Sequence, residues 1–360
     1  QSNMLFRDEE LLEWHFQSEN SLCEQDTYLK KPGADDLSSW TQTKQIQSLN
    51  CSTYSGPGII ETGRIADPAH DQVARVMHLT SGKLEIALLD PKMGFNSPVR
   101  SASLAEDMPW ARDEFMDMAV GDLDLFVDEN GFYHDEIVIA HVTSYTSGTV
   151  LQVTVLDYNL NTLAVGSIPY HTNSDPGTSR GDGVAVALGD FDGDRKLEIA
   201  VATKEAYTKC TVAMGRLTYH DASGTYSIDF QNPYTHTFSR YYDWNSLDLA
   251  AGDFAGNGKA QLLLAEGIGT YLFEADSSLN VIYNTSYLLV LSYYADYMNG
   301  GVRIKPGLFH YDPANGFDVN RSQIAYAVQW NQDNCYGSSW PCDGSAKITV
   351  GILEYDGQYL

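Results

Sequence analysis

The sequence predicts an all-β protein built from repeated four-stranded units, and three observations lead to this prediction. From about Gln45 onward, short runs rich in Val, Ile, Thr and Tyr alternate with clusters of Gly, Asp, Asn and Ser, which is typical of sandwiches, barrels and propellers. Within this region a strand–acidic loop–strand pattern recurs, and its copies are almost evenly spaced. Even spacing over several copies indicates tandem structural units.

Residues 1–44 differ in character and are predicted to form an N-terminal extension ahead of the repeats at residues 45–360. The stretch LFRDEELLEWHFQ, residues 5–17, places Leu5, Leu12 and Phe16 near one face of a helix, which predicts a short amphipathic helix. The following residues, to about Trp40, are polar and turn-rich without a clear period.

The best-preserved copy of the repeat is Gly183–Thr203, GVAVALGDFDGDRKLEIAVAT. Its loop carries acids at relative positions 1, 3, 5 and 9, namely Asp190, Asp192, Asp194 and Glu198. Calcium takes six to eight oxygen ligands, backbone carbonyls included, so the carbonyl of Lys196 at position 7 completes a ligand set. Four carboxylates this close repel one another without a cation. The sequence therefore predicts a Ca²⁺ site in this loop.

Four further copies are recognised by the polar residue that opens the second strand of each. They are Val73–Leu89, Phe115–Val142 with an insertion in its loop, Leu247–Glu266 and Gly307–Val328. The marker residues of all five copies are Glu85, Glu136, Glu198, Gln261 and Gln323, separated by 51, 62, 63 and 62 residues. This regularity makes five repeats recognisable.

Each unit also has a second half of two strands, which makes it four-stranded. The clearest examples are Cys210–Asp221 with Gly224–Phe230, and Val150–Ser167. Four-stranded units of this length predict the blades of a β-propeller. The last unit, ending in Lys347–Leu360, stops after its third strand. The ring closes with five blades, or a further blade lies within Trp40–Asp71, or the chain is a fragment.

The strand–GDFDGD–strand unit resembles the FG-GAP/VCBS repeat, the blade of integrin-α-type β-propellers. The resemblance covers about Gln45–Leu360, and its most specific segment is residues 189–194. It implies calcium in some blades and an often extracellular, mainly non-catalytic scaffold that displays loops for adhesion or ligand binding. Some relatives carry enzymatic domains or are carbohydrate-active. Arg195 departs from the pattern, because it replaces a glycine where the backbone often needs a left-handed conformation.

Two other copies are weaker candidates for calcium. In one, Asp253, Asn257 and Gln261 keep three ligand positions, while Ala255 replaces a carboxylate, which should weaken affinity. In the copy with the insertion, the loop begins with Asp122 and Asp124, and a second 1, 3, 9 arrangement is offered by Asp128, Asn130 and Glu136. The copies ending at Glu85 and Gln323 lack the acidic cluster and are expected to be structural blades.

Charge and hydropathy exclude two classes of partner. Asp and Glu number 48 against 22 Lys and Arg, for a net charge of −26. A chain this acidic is repelled by phosphate backbones and anionic lipids, so nucleic-acid binding is not expected. The longest apolar runs are strand-sized, so membrane insertion is not expected either.

Cysteines and sequons favour a secreted protein. Two disulfides are predicted, Cys335–Cys342 across a turn-rich loop and Cys23–Cys51, which leaves Cys210 alone in a strand. Asn-x-Ser/Thr sequons that allow glycosylation stand at Asn50, Asn284 and Asn320. Together they favour an oxidising, extracellular setting.

The sequence favours a binding protein over an enzyme. No HExxH motif occurs, and the G-x-S-x-G match at residues 177–181 follows a Pro-Gly turn where a nucleophile elbow needs a strand. Aromatic residues outside the strand patterns are candidates for contacting a ligand, with coverage of a blade edge as the alternative: Tyr241, Tyr242, Trp244, Trp330, Tyr336 and Trp340.

The prediction is therefore a secreted, calcium-binding β-propeller that serves as a recognition or adhesion scaffold for a glycan or an extracellular protein. Two alternatives stay open. One is a carbohydrate-active enzyme, either a polysaccharide lyase or a glycosidase, because carboxylates are plentiful. The other is a propeller module of a larger toxin or surface protein.

Overall fold

The described part of the chain is all-β and contains no helix. A computed structural model describes residues 11–19, 22–31, 41–49, 58–90, 98–104, 116–143, 150–169, 183–206, 209–237, 247–266, 269–288, 302–307, 323–331 and 346–353. The chain divides into two compact units, residues 1–113 and residues 114–360. No helix able to cross a membrane occurs among these residues.

The first unit contains two antiparallel sheets in its described residues. The three-stranded sheet has the order β1-β2-β3 and consists of β1 (Leu11–Glu19), β2 (Leu22–Lys31) and β3 (Thr41–Leu49). The four-stranded sheet has the order β4-β5-β6-β7, with β4 (Ile59–Gly63), β5 (Gln72–His78), β6 (Leu84–Leu89) and β7 (Arg100–Leu104). Every residue of β5 is buried.

The helix predicted at residues 5–17 is wrong over the part that the structure describes. From Leu11 onward this segment is strand β1, which pairs with β2 along its whole length. The stretch LEWHFQ, residues 12–17, alternates apolar and polar residues, which suits a strand. A lone short helix is marginal in water, whereas β1 gains a full ladder of backbone hydrogen bonds. Residues 1–10 lie outside the described residues, and the domain boundary at residues 44/45 stays a prediction.

The second unit contains four antiparallel sheets that follow one another along the described chain. The first holds β8 (Met116–Gly121), β9 (Glu136–Val142), β10 (Val150–Leu156) and β11 (Thr162–Pro169). The second holds β12 (Gly183–Gly189), β13 (Glu198–Ala206), β14 (Lys209–His220), β15 (Thr225–Phe230) and β16 (Tyr234–Thr237). The third holds β17 (Leu247–Gly252), β18 (Gln261–Glu266), β19 (Gly269–Ala275) and β20 (Val281–Leu288). The fourth holds β21 (Val302–Gly307), β22 (Gln323–Asn331) and β23 (Ala346–Leu353).

The sheets of the second unit are the blades of a β-propeller, as the sequence predicted. The first strand of each sheet packs against the first strand of the next, from β8 to β12, β17 and β21, and the strands within each sheet follow in meander order. Four of the five marker residues open the second strand of their sheet as predicted, in β9, β13, β18 and β22. The prediction is wrong for Glu85, which is the second residue of β6, the third strand of its sheet. The acidic loops therefore join the first two strands of their blades.

Apolar cores lie between successive blades. One joins the β8–β11 sheet to the β12–β16 sheet and includes Val153, Val186 and Val201. The next joins the β12–β16 sheet to the β17–β20 sheet and includes Met214 and Phe273. Cys210 is buried in the second of these cores, and the two predicted disulfides stay predictions. The other four cysteines have no described side chains.

A repeated aspartate ties the first strand of one blade to the first strand of the next. Asp117 in β8 accepts a hydrogen bond from the backbone N–H of Val186 in β12 at 2.8 Å. Asp248 in β17 accepts one from Ile304 in β21 at 2.7 Å. Both aspartates occupy the second position of their strand, where they satisfy a backbone donor on the facing blade. A buried donor left without a partner is costly.

Glycines at the ends of the first strands allow close packing between blades. A Cβ atom added to Gly189 would lie 2.8 Å from the Cβ of Ala260 and 2.9 Å from that of Ala251, both in the next blade. A Cβ on Gly121 would lie 2.8 Å from Leu197, again in the following blade. Glycine is therefore required at position 189 by the fixed Cβ atoms of the neighbouring sheet, whereas at position 121 the flexible end of Leu197 would have to move.

Candidate metal centres

The loop between β12 and β13 is shaped by its own acidic residues. Asp190 accepts hydrogen bonds from the backbone N–H groups of Gly193, at 2.7 Å, and Arg195, at 2.9 Å. These bonds coil the loop and turn its carboxylates inward. Arg195 has a φ of 71°, which confirms that this position requires a left-handed backbone. A side chain there carries a strain that glycine would not.

The carboxylates of this loop converge on one point. Oxygen atoms of Asp190, Asp192 and Asp194 lie within 4.8 Å of one another. Glu198 is fully buried and accepts a hydrogen bond from the backbone N–H of Phe191 at 2.8 Å. Burial, reinforced by the charge of Asp192, raises the pKa of Glu198 to about 7. A cation among these groups would favour their ionised forms.

An arginine that the sequence did not predict reaches into the same cluster. The guanidinium of Arg216, in β14 of the same blade, pairs with Asp192 and lies 3.4 Å from Glu198 and 3.9 Å from Asp194. The cluster thus contains one positive charge of its own. No motif points to Arg216, because it lies in a different strand and outside the acidic loop.

A second carboxylate cluster lies in the loop between β8 and β9. Oxygen atoms of Asp122, Asp124 and Glu136 lie within 4.8 Å of one another. Glu136 is 3% exposed and accepts a hydrogen bond from Leu123 N–H at 2.7 Å. Burial, with the charge of Asp124 added, raises the pKa of Glu136 to about 8. Within the described part of the chain, no Lys or Arg pairs with these carboxylates.

The insertion in this loop does not form the second ligand arrangement considered from the sequence. Asp128 accepts hydrogen bonds from the backbone N–H groups of Asn130, at 2.8 Å, and Phe132, at 2.9 Å. Its other oxygen lies 3.3 Å from His134. Asp128 and Asn130 therefore stabilise the turn of the insertion, whereas Glu136 joins the two aspartates at the start of the loop.

The loop between β17 and β18 satisfies its polar groups without a cation. Asp253 accepts hydrogen bonds from the backbone of Asn257, at 2.9 Å, and Gly258, at 2.8 Å. The side-chain amide of Gln261 donates to Asn257, at 3.3 Å, and to the carbonyl of Lys259, at 2.9 Å. That carbonyl is equivalent to the carbonyl of Lys196. The Gln261 amide thus points its hydrogens at two of the predicted ligand oxygens, so the donors of this loop fit calcium less well than a set of carboxylates does.

Two of the three loops thus fit a calcium ion by the chemistry of their donors. Hard carboxylate oxygens gathered around one point are the ligands that calcium prefers. The residues that would hold it are Asp122, Asp124 and Glu136 in one blade, and Asp190, Asp192, Asp194 and Glu198 in the next. A bound ion would supply positive charge and tie together the two ends of each loop.

The aromatic residues predicted to contact a ligand are mostly outside the described residues. Tyr241, Tyr242, Trp244, Tyr336 and Trp340 all lie there. Trp330 was predicted to lie outside the strands and instead belongs to β22, where it pairs with Lys347 of β23. The prediction was wrong because strand β22 continues through the polar residues that follow its apolar start.

Comparisons with known proteins concern the fold. No family model matches the chain, and no curated protein matches it significantly. Among solved structures, the chain is similar to a triple mutant of AofleA from Arthrobotrys oligospora, with 7% identity, a TM-score of 0.48, and coverage of 98% of this chain and 88% of that one. It is also similar to the Aleuria aurantia lectin, described as a six-bladed β-propeller with a novel fucose recognition mode, with 9% identity, a TM-score of 0.41, and coverage of 97% and 98%.

A third similar structure is BBS1N, solved in complex with ARL6DN. The identity is 10% and the TM-score 0.42, with 91% of this chain and 80% of that chain covered. Because the TM-scores are below 0.5 and the identities are low, the function is argued only from the geometry of the chain itself.

Proposed function

We propose that this chain is a calcium-stabilised β-propeller that acts as a non-catalytic recognition scaffold for a glycan or an extracellular protein. The observation that carries the calcium part is the cluster of Asp122, Asp124 and Glu136, within 4.8 Å of one another. Three carboxylates so close, one of them buried, oppose one another's ionisation unless a cation is present. Calcium removes this conflict and stabilises the folded blade.

The role of calcium in this proposal is structural. Each acidic loop joins the first two strands of a blade, and the carbonyl of Asp190 accepts a hydrogen bond from Ala260 N–H of the next blade at 2.7 Å. An ion that fixes the loop therefore also supports the contact between blades. Loops held in this way are suited to ligand binding, because less conformational entropy is lost when the ligand arrives.

Sequence features support the extracellular part of the proposal. The segment at residues 189–194 lies between two blade strands, which is the context expected of an FG-GAP/VCBS repeat, and we infer membership of that class from it. Of the three sequons, Asn284 is exposed on strand β20. Secretion and glycosylation follow from these features as proposals.

The buried position of Glu136 favours a scaffold over a carbohydrate-active enzyme. A carboxyl with a pKa near 8 is the kind that serves as a general acid. However, this side chain is almost fully buried and bonds to Leu123 N–H, so it does not face a substrate. The carboxylates of each cluster also share one small volume, whereas a glycosidase needs its pair on opposite sides of the scissile bond.

Incubation with a panel of polysaccharides tests the recognition role. Binding is followed by affinity electrophoresis, and products are followed by assays for new reducing ends and for unsaturated uronic acids. The proposal predicts that at least one polysaccharide slows the migration of the protein in the gel. It also predicts that no reaction products form. New chain ends that accumulate with time would contradict it and establish an enzyme.

A further inference from the structure

A pocket lies between two neighbouring blades, beside both carboxylate clusters. Its volume is about 570 Å³, within the range of about 300–1,000 Å³ typical of small-molecule sites. One wall is the start of the β8–β9 loop, including Asp124 and Phe126. The other is formed by β14 and β15 of the next blade, including Tyr219 and Tyr226.

The wall formed by β14 and β15 is held by contacts on several sides. Tyr219 and Tyr226 are directly opposite one another on β14 and β15, and their ring centroids are 5.0 Å apart. The Tyr226 hydroxyl donates to Asp124 at 3.0 Å across the blade boundary. Below it, Leu217 and Ile228 belong to the core between the two blades. A site held by packed strands loses little freedom on binding a ligand.

The lining combines aromatic faces with hydrogen-bonding groups of both kinds. Tyr219 is 52% exposed and Phe126 is 58% exposed, so two aromatic rings of the lining are accessible to a ligand. The lining also includes Asp124, whose carboxylate can accept hydrogen bonds, and Arg216 and Lys196, whose side chains can donate them.

The charged groups in and around the pocket limit the class of ligand that it can bind. Arg216 is already paired with Asp192, and the pocket is flanked by two carboxylate clusters in a chain of net charge −26. A polyanion would be repelled by this surrounding field. A purely apolar ligand would remove water from the charged groups of the pocket without replacing its hydrogen bonds, which costs free energy. A pyranose ring fits both constraints, because one face presents C–H groups and its edge presents hydroxyls that donate and accept.

We propose that this inter-blade pocket binds a pyranose unit of a glycan, with Tyr219 and Phe126 stacking on the sugar ring and Asp124, Arg216 and Lys196 contacting its hydroxyls. The inference rests on the proposed recognition function and names the place and class of the ligand. It also places the ligand between the two blades whose loops carry the carboxylate clusters.

The test is saturation-transfer difference NMR on the full chain with calcium. The probes are the methyl pyranosides of glucose, galactose, mannose, fucose, N-acetylglucosamine and glucuronic acid, followed by a titration of the strongest binder. The Tyr219→Ala variant is expected to lower affinity at least about tenfold, as loss of a central aromatic contact does. Tyr133→Ala is the matched control, because Tyr133 is 55% exposed and does not line the pocket.

Each outcome decides the proposal. Sugar binding that Tyr219→Ala weakens and Tyr133→Ala leaves unchanged supports it, provided that both variants melt like the wild type. Absence of transfer to every sugar, or equal binding by Tyr219→Ala, overturns it. Calcium-dependent stability is measured separately, so a scaffold that gains stability from calcium but binds no sugar loses only the pocket assignment.

Discussion

Arg216 in β14 forms an ion pair with Asp192 in the acidic loop of the same blade, where the sequence predicted a metal ion. The guanidinium also lies 3.4 Å from the buried Glu198. In the preceding blade, the cluster of Asp122, Asp124 and Glu136 has no such partner in the described residues. The two loops fit calcium by the same donor chemistry, yet they differ in the charge already present.

Arg216→Gln should therefore change stability in opposite directions with and without calcium. In chelator, the variant should be less stable by about 1 kcal/mol, a value reduced by the partial exposure of Arg216. With calcium, the loop should bind the ion more tightly, because no guanidinium competes for Asp192. Thermal melting in EDTA and in calcium measures both effects. Arg195→Gln, which removes a charge from the same loop, is the control, and equal behaviour of the two variants would refute the competition.

Asp248→Ala should destabilise the contact between two blades. The change leaves the backbone N–H of Ile304 without its acceptor at a buried position, at a cost of about 1–3 kcal/mol. Asp248→Asn keeps an oxygen acceptor and should cost less. Urea unfolding of both variants measures the difference. If the two variants unfold at the same urea concentration as the wild type, the hydrogen bond does not stabilise the blade contact.

His236 should make stability fall in mild acid. Burial lowers its pKa below the ordinary value of 6.5, so the unfolded state binds a proton more readily than the folded state. Stability is therefore retained above about pH 6.5 and lost as the pH falls below it. The His236 ring lies among the rings of Tyr271 and Phe273, so phenylalanine can replace it. In the His236→Phe variant, the melting temperature should fall less between about pH 7.5 and about pH 5.5 than it does in the wild type.

His220, a second histidine on the same sheet, provides the control for the pH dependence of stability. His220→Gln removes an exposed histidine from β14 and should leave the slope of stability against pH as it is in the wild type. A slope that responds equally to both substitutions would mean that burial of His236 is not its cause.

The blade repeat could be predicted from the sequence because its signals are local. The acidic loop, its flanking strands and the residue that opens the second strand all lie within about twenty residues of one another. The left-handed conformation of Arg195 could be predicted from the same pattern, because Arg195 stands where the repeat usually has a glycine.

Contacts between distant residues could not be predicted in this way. The pairs Tyr226–Asp124 and Asp117–Val186 join different blades, 102 and 69 residues apart in sequence. Residues 11–17 of β1 were predicted as helix because the partner strand β2 was not recognised. Sequence patterns describe one segment at a time, whereas these contacts depend on how sheets meet.

The most direct test of the account is a calcium titration of the metal-free protein, followed by its melting temperature. The account predicts a rise with calcium, equivalent to about 2.7 kcal/mol at a hundredfold excess over Kd. The Asp122→Asn/Asp124→Asn double variant should lose the larger part of this rise. Asp128→Asn, an aspartate of the same loop outside the cluster, should keep it. A melting temperature that does not respond to calcium, or a response that Asp128→Asn abolishes equally, would contradict the account.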